Sequence, residues 1–186
     1  MILKLPSTII GSKTKLRGKR LADAQKDYIW YTDPELVRLF DTPLLTVSFS
    51  KYLSNYTGEL RYPDLTRYRF AIETTDGDHI GNCLYYNIDE INGAAELGIM
   101  IGNRDYWDKG CGTDAVITLV NYIFHQTKLK RIYLRTLYSN KRAQKCFQKC
   151  GFTPYGRLHK DSYSFMCMEI HREQWEKQQP ETVKRG

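Results

Sequence analysis

Apolar and polar positions follow two different rhythms along this chain. Arg69–Thr74, RFAIET, alternates residue by residue and predicts a strand. Thr75–Asp78, TDGD, reads as a turn, and His79–Asn87, HIGNCLYYN, as the returning strand. A second turn over Asp89–Gly93 leads into Ala95–Ile101, AELGIMI. Consecutive strands joined by tight turns predict an antiparallel meander. The rhythm then lengthens. Thr113–Gln126 places Ala115, Val116, Leu119, Val120, Ile123 and Phe124 at helical spacing, with Ile117 and Tyr122 besides, which predicts a helix buried on most sides. Arg131–Leu137 predicts a strand, Asn140–Lys149 a helix closed by Gly151, and Asp161–Ile170 a further strand. From His171 the chain turns polar and is expected to fray into a flexible tail. Ahead of the meander, Asp23–Tyr31, Pro34–Phe40 and Ser48–Tyr56 predict helices; Asp33 caps the second, with Pro34 in its first turn. The result is one α/β (α+β) domain over residues 1–186. An antiparallel front precedes a strand–helix–strand–helix unit.

Composition narrows the function classes. A chain of 186 residues can bury a full core, and 41% hydrophobic with 26% charged residues is ordinary for a soluble domain. No apolar run is long enough to span a bilayer, and Lys4 and Pro6 break the apolar start, so neither a membrane partner nor a secretory signal is expected. The expected location is the cytoplasm. Cys83, Cys111, Cys146, Cys150 and Cys167 are odd in number and lack a C-x-x-C pair, so no metal is expected. Cys146 and Cys150 share a helix face and read as packing residues. The net charge of +7 suits a polyanionic partner. No nucleic-acid-binding motif accompanies it, so no nucleic acid is expected.

The glycines of DYWDKGCGTDA, Asp105–Ala115, raise a sharper question. Gly110 to Ala115 fits G-x-G-x-x-[GA]. The dinucleotide reading nevertheless lacks its context: the preceding strand ends eight residues earlier, near Ile101, the strands before it are antiparallel, and no acid occupies Lys130–Arg135. A P-loop would need Lys-Ser or Lys-Thr after the second glycine, but Lys109 precedes both. What remains is a turn able to present successive N–H groups at a helix N-terminus, or a glycine-rich turn with no ligand.

Trp107-Asp108-Lys109-Gly110-Cys111-Gly112, followed later by Asn140-Lys141-Arg142-Ala143 through Phe147 to Gly151-Phe152, resembles the motifs of the GNAT superfamily of acetyl-CoA-dependent N-acetyltransferases. Trp107 stands where Gln or Arg is usual, as in the branch resembling ribosomal-protein N-terminal acetyltransferases. The resemblance covers residues 15–172. It implies a mixed, mostly antiparallel sheet with splayed central strands, flanked by helices, and acetyl-CoA as cosubstrate. The backbone of Ile99, Met100 and Ile101 would pair with the pantetheine arm. The N–H groups from Lys109 through Gly110, Cys111 and Gly112 to Thr113 would hold the pyrophosphate. Asn140 would reach the arm and Phe147 would line the thioester channel. The partner is an amine acceptor, either a small molecule or a protein N-terminus. The sequence leaves the oligomeric state open, a homodimer included.

Acetyl transfer to an amine needs a base, an oxyanion donor and a departing thiolate. Glu96, among apolar neighbours that would raise its pKa, is the expected base, although a strand carboxylate paired with a basic residue reads equally well. Glu73 and Glu169 stand in reserve. The N–H of Met100 or Ile101 is the expected oxyanion donor. Direct attack requires no enzyme nucleophile, so Cys111 matters for its N–H. Relatives carry a hydroxyl at the position of Phe147 or Ala143; here Tyr138 and Ser139 are the nearby substitutes. Their absence from the helix motivates an alternative, a non-catalytic acyl-CoA-binding module. The aromatic front helices and the loop Tyr56–Tyr68 would set acceptor choice, or serve only as packing.

Overall fold

The computed structural model describes residues 8–64 and 66–179. Met1–Ser7, part of the stretch read above as no signal, lies outside them, as do Leu65 and the tail from Pro180. In chain order the strands are β1 (Thr8–Ile10), β2 (Thr14–Gly18), β3 (Tyr68–Thr74), β4 (His79–Asp89), β5 (Ala94–Ile101), β6 (Arg131–Leu137), β7 (Thr153–Lys160) and β8 (Tyr163–His171). The helices are α1 (Ala24–Tyr31), α2 (Pro34–Leu39), α3 (Phe49–Arg61), α4 (Cys111–Gln126), α5 (Lys141–Lys149) and α6 (Arg172–Gln178). The strands form one sheet in the order β1-β2-β3-β4-β5-β6-β8-β7. Every neighbouring pair is antiparallel except β5 and β6. Among the described residues no helix is long and apolar enough to cross a membrane.

The expected meander is β3-β4-β5. Alternation along β5 sends side chains to two cores. Ile99 and Ile101 pack against the main cluster, where Ala115, Val116, Leu119 and Ile123 of α4 meet Leu16, Phe70, Ile80 and Leu134 of the sheet. Met100 turns the other way, onto Trp30 of α1 and Leu36 of α2. Helices therefore cover both faces of β5, and its backbone is held rigidly between them.

The pattern did not announce four features. Strand β1 has only three residues, and β2 is short and mostly polar. Strand β7 is exposed along its whole length and contains Pro154 and Gly156, as suits an edge. Helix α3 runs to Arg61, past the expected end at Tyr56. The expectation of fraying from His171 is corrected as far as Gln178, while the tail from Pro180 lies outside the described residues. Helix α6 docks through Trp175, whose ring packs 5.2 Å from Phe124 and whose Nε1 donates to Asn121 Oδ1 at 2.6 Å. The Arg172 guanidinium donates to the carbonyls of Phe124, Thr127 and Leu129 at 2.7–2.8 Å. These carbonyls lie at and beyond the end of α4, where the last helical C=O groups lack intrahelical partners. Two residues thus order a polar segment that has no apolar periodicity of its own.

Asp114, in the first turn of α4, fastens the β1–β2 turn. Its carboxylate accepts from the N–H groups of Ser12, Lys13 and Thr14 at 2.8–3.0 Å and from Thr14 Oγ1 at 2.7 Å. Burial opposes its ionisation, but these donors hold its pKa below the ordinary value. Asp114→Ala is expected to lower the unfolding free energy by about 2 kcal/mol, because charge-assisted bonds are lost and the partly buried Thr14 donors are stranded. A denaturant midpoint unchanged from wild type would contradict this role.

A second polar cluster lies under α1. Arg17 on β2 grips Asp23 through two bonds of 2.8 Å and reaches Glu73 at 2.5 Å. Lys19 sits 2.7 Å from Asp27, which also accepts from Asn82 Nδ2. Arg17, Asp23 and Asp27 are each at most 4% exposed, so every charge here depends on its partner.

Candidate active site

Strands β5 and β6 pair only at Ala94–Arg131, Ala95–Ile132 and Glu96–Tyr133. Beyond that point each follows its own antiparallel partner. Strand β5 stays with β4 as far as Ile101–Gly81, and β6 stays with β8 as far as Leu137–Phe165. The sheet parts between them and opens a cleft of about 660 Å³.

The facing backbone of β5 is unpaired in this gap. Gly102 N–H donates to the Ile80 carbonyl at 3.0 Å, which sets the phase of the ladder. Gly98 and Met100 therefore address β4, while Ile99 and Ile101 present their N–H and C=O groups to the cleft. The Ile101 carbonyl already accepts from Trp107 Nε1 at 2.7 Å. The Trp107 ring lies under the Arg142 guanidinium, 3.4 Å from its centroid, and Arg104 approaches at 5.4 Å. Arg104 in turn pairs with Asp33 and Glu35 at 2.8 Å. Trp107 thus joins the start of α5 to the start of α2.

At one end of the cleft is the glycine turn. Gly110 has φ +83° and caps α4, a conformation that costs a side-chain-bearing residue energy. The first intrahelical bond runs from Asp114 N–H to the Gly110 carbonyl, so the N–H groups of Cys111, Gly112 and Thr113 lack helical partners. Lys141, Arg142, Lys145 and Lys149 line this end, and Lys13 Nζ donates to the Lys109 carbonyl at 2.9 Å. The macrodipole and the lysines together favour a polyanion. Cys146 Sγ lies 3.4 Å from Thr113 Oγ1, and the Cys150 thiol donates to the Thr113 carbonyl at 3.6 Å. The Cys146 pKa is lowered by the neighbouring Cys150 and Thr113 side chains and by the charges of Lys149 and Arg142, against the opposing effect of burial.

The opposite end holds carboxylates. Glu96 is 5% exposed and accepts from Asn87 Nδ2 at 2.9 Å. Asn87 has φ +49° where the β4–β5 register shifts, so the irregular backbone aims its amide at Glu96. Arg135 Nε lies 3.8 Å from Glu96 and 2.9 Å from Asp41, and Lys160 Nζ lies 4.0 Å from Asp41. The surroundings of Glu96 are therefore polar, contrary to the apolar neighbourhood expected from the strand pattern: its sequence neighbours point elsewhere, and the groups that meet it come from Asn87 and Arg135, the latter also holding Asp41.

The cleft brings together Glu96, Ile99, Met100, Ile101, Gly110, Gly112, Thr113, Asn140 and Phe147. Asn140 caps α5 by accepting from Ala143 N–H at 3.1 Å, and Phe147 is a buried wall residue. Lys109 and Cys111 flank the lining without joining it. Tyr138 and Ser139 stand outside. Ser139 is exposed, and the Tyr138 hydroxyl accepts from Arg157 at 2.7 Å with its ring between Lys141 and Arg157. Glu73 is held by Arg17, and Glu169 by Arg131 at 2.6 Å and His171 at 3.1 Å, both away from the cleft. Sequence reasoning missed Asp41, Arg135 and the Trp107–Arg142 stack. Arg135 alternates with buried Leu134 and Thr136 on its strand and was readable as facing the opposite side; Asp41 carried no signal.

A parting parallel pair with an anion-binding helix start at one end defines a class. A family profile described as "Acetyltransferase (GNAT) domain" matches residues 14–153, and the chain belongs to that family. An uncharacterised N-acetyltransferase of Bacillus licheniformis, p20, is 29% identical over 153 residues, spanning 81% of this chain and 85% of that protein. A candidate ribosomal N-acetyltransferase of Bacillus subtilis, YdaF, is 27% identical over 88 residues, 47% of this chain and 48% of that one. The solved structure of spermidine N-acetyltransferase from Vibrio cholerae, in complex with CoA and spermine, superposes with a TM-score of 0.77 at 20% identity, covering 88% of this chain and 98% of that one.

Proposed function

We propose that this chain transfers the acetyl group of acetyl-CoA to a primary amine by direct attack, with both substrates bound in the β5–β6 cleft. The observation that carries the reading is the cleft's polarity along β5: unpaired N–H groups and lysines at one end, a buried carboxylate at the other, free backbone between. The pyrophosphate sits on the N–H groups of residues 110–113. The pantetheine arm pairs with Ile99 and Ile101 in the manner of an added strand. For that pairing Trp107 yields the Ile101 carbonyl.

Glu96 takes the proton of the amine. The N–H of Ile99, nearer Glu96 than that of Ile101, donates to the carbonyl oxygen as it gains charge. Met100 N–H points into the sheet and is not available for this. As the tetrahedral intermediate collapses, the C–S bond breaks and the nitrogen sheds its second proton, which the departing thiolate of CoA takes up directly or through water, without a donor on α5. That argument removes the need for a hydroxyl at Ala143 or Phe147.

The test is release of free CoA from acetyl-CoA across a panel of small amines, amino acids and peptides. Binding of acetyl-CoA without turnover on any amine would leave only an acyl-CoA-binding module. A further expectation concerns the turn. Gly110→Ala places a Cβ in the left-handed region at a cost of about 1–2 kcal/mol, expressed as a rise of about fivefold to thirtyfold in KM for acetyl-CoA with kcat little changed. An unaltered KM would remove the turn from the cofactor site.

A further inference from the structure

The carboxylates at the acceptor end are already matched by cations. Asp41 and Glu96 converge on one guanidinium, that of Arg135, and Lys160 stands beside Asp41. This balance is unlike a receptor for a polycation, which needs carboxylates in excess. Arg135 is committed through Nε alone: among the described residues neither of its Nη groups makes a hydrogen bond. A guanidinium with two free Nη groups is a fork shaped for a carboxylate. Asp41 is held in a left-handed conformation at φ +52°, and its buried Oδ2 lacks a well-aligned donor despite the nearby Arg135. An acceptor oxygen and a donor fork therefore stand side by side, each incompletely used. Phe40 and Leu84 supply apolar lining beside them, the Phe40 ring lying over Gly98.

We infer that the acceptor is a compact zwitterion of the amino acid class: its amine meets Glu96 and Asp41 while its own carboxylate meets Arg135. This rests on the acetyl-transfer reading above and narrows it. A polyamine would bring several positive charges against Arg135 and Lys160 and offer nothing to the fork. A zwitterion exchanges each existing ion pair for an equivalent one, and its short amine-to-carboxylate separation suits a carboxylate and a guanidinium that stand side by side.

The experiment measures CoA release with the common L-amino acids, their methyl esters, spermine and an aminoglycoside. The best amino acid is expected to exceed its own ester and both polycations in kcat/KM by at least tenfold. Arg135→Gln is expected to lower kcat/KM for the acid at least tenfold more than for the ester, so that their ratio falls toward one. A merely structural Arg135 would lower both together. Should that variant fail to fold, the acid-to-ester ratio of the unaltered protein still decides the matter. Equal rates for acid and ester, or preference for spermine, overturn the inference and leave acetyl transfer standing. No turnover of any amine, with acetyl-CoA still bound, overturns both.

Discussion

Glu96→Gln is expected to lower kcat by about a hundredfold or more, the range that a positioned base contributes. The substitution keeps the shape and the ability to accept from Asn87 but removes the capacity to take a proton. In the proposed pose the phosphates of acetyl-CoA are held at the other end of the cleft, so its KM should hold. The split between kcat and KM separates a base from a folding defect, since a misfolded cleft would impair both. Asn87→Ala should act in the same direction but weakly, because it loosens the carboxylate without removing it. Retention of kcat within threefold in Glu96→Gln would assign proton removal elsewhere.

Arg17→Met is expected to destabilise the protein by about 3–5 kcal/mol, the cost of breaking a buried pair and leaving its partner charged. Asp23, 3% exposed, and Glu73 would lose their common guanidinium. Burial pushes Asp23 upward, yet Arg17, the Arg20 N–H and Lys19 outweigh it and hold its pKa at about 2. The folded value therefore lies below the unfolded value, about 3.9. The stabilisation from this group, about 2–3 kcal/mol, is complete above pH 4 and is lost as pH falls through 2. Melting temperatures measured from pH 5 to 2 should fall in the wild type. In Arg17→Met that acid limb should be much reduced, because burial then dominates and favours the protonated form. Parallel curves for the two proteins would show that the pair does not carry the acid sensitivity.

The legible part of the fold was the part carried by period. The meander, α4 and α5 all bury one face or more, and Asp33 and Gly151 mark ends that backbone chemistry alone requires. The β1–β2 hairpin, by contrast, is tied down by Asp114 a hundred residues later, and α6 by single contacts of Arg172 and Trp175. Such anchoring leaves no trace in local pattern. The site divides the same way. The glycine turn and β5 are contiguous motifs and could be read. The partners of Glu96 come from a strand irregularity and from β6, so only the folded chain shows that its environment is polar. Tyr138 and Ser139 illustrate the converse: adjacency to a motif in sequence did not put them on its face.

The brevity of the β5–β6 ladder has a consequence for the protein's persistence in a cell. Three residue pairs make the β5–β6 ladder, and in the pose proposed above acetyl-CoA lies along the rest of the seam, beside the Trp107–Arg142 stack. Mass action then ties unfolding to metabolic supply: at a cosubstrate concentration a hundred times Kd, the folded state gains about 2.7 kcal/mol, and it surrenders that reserve when the pool is exhausted. The half-life of the protein against proteolysis would thus track the acetyl-CoA level, with the enzyme most durable when its substrate is plentiful.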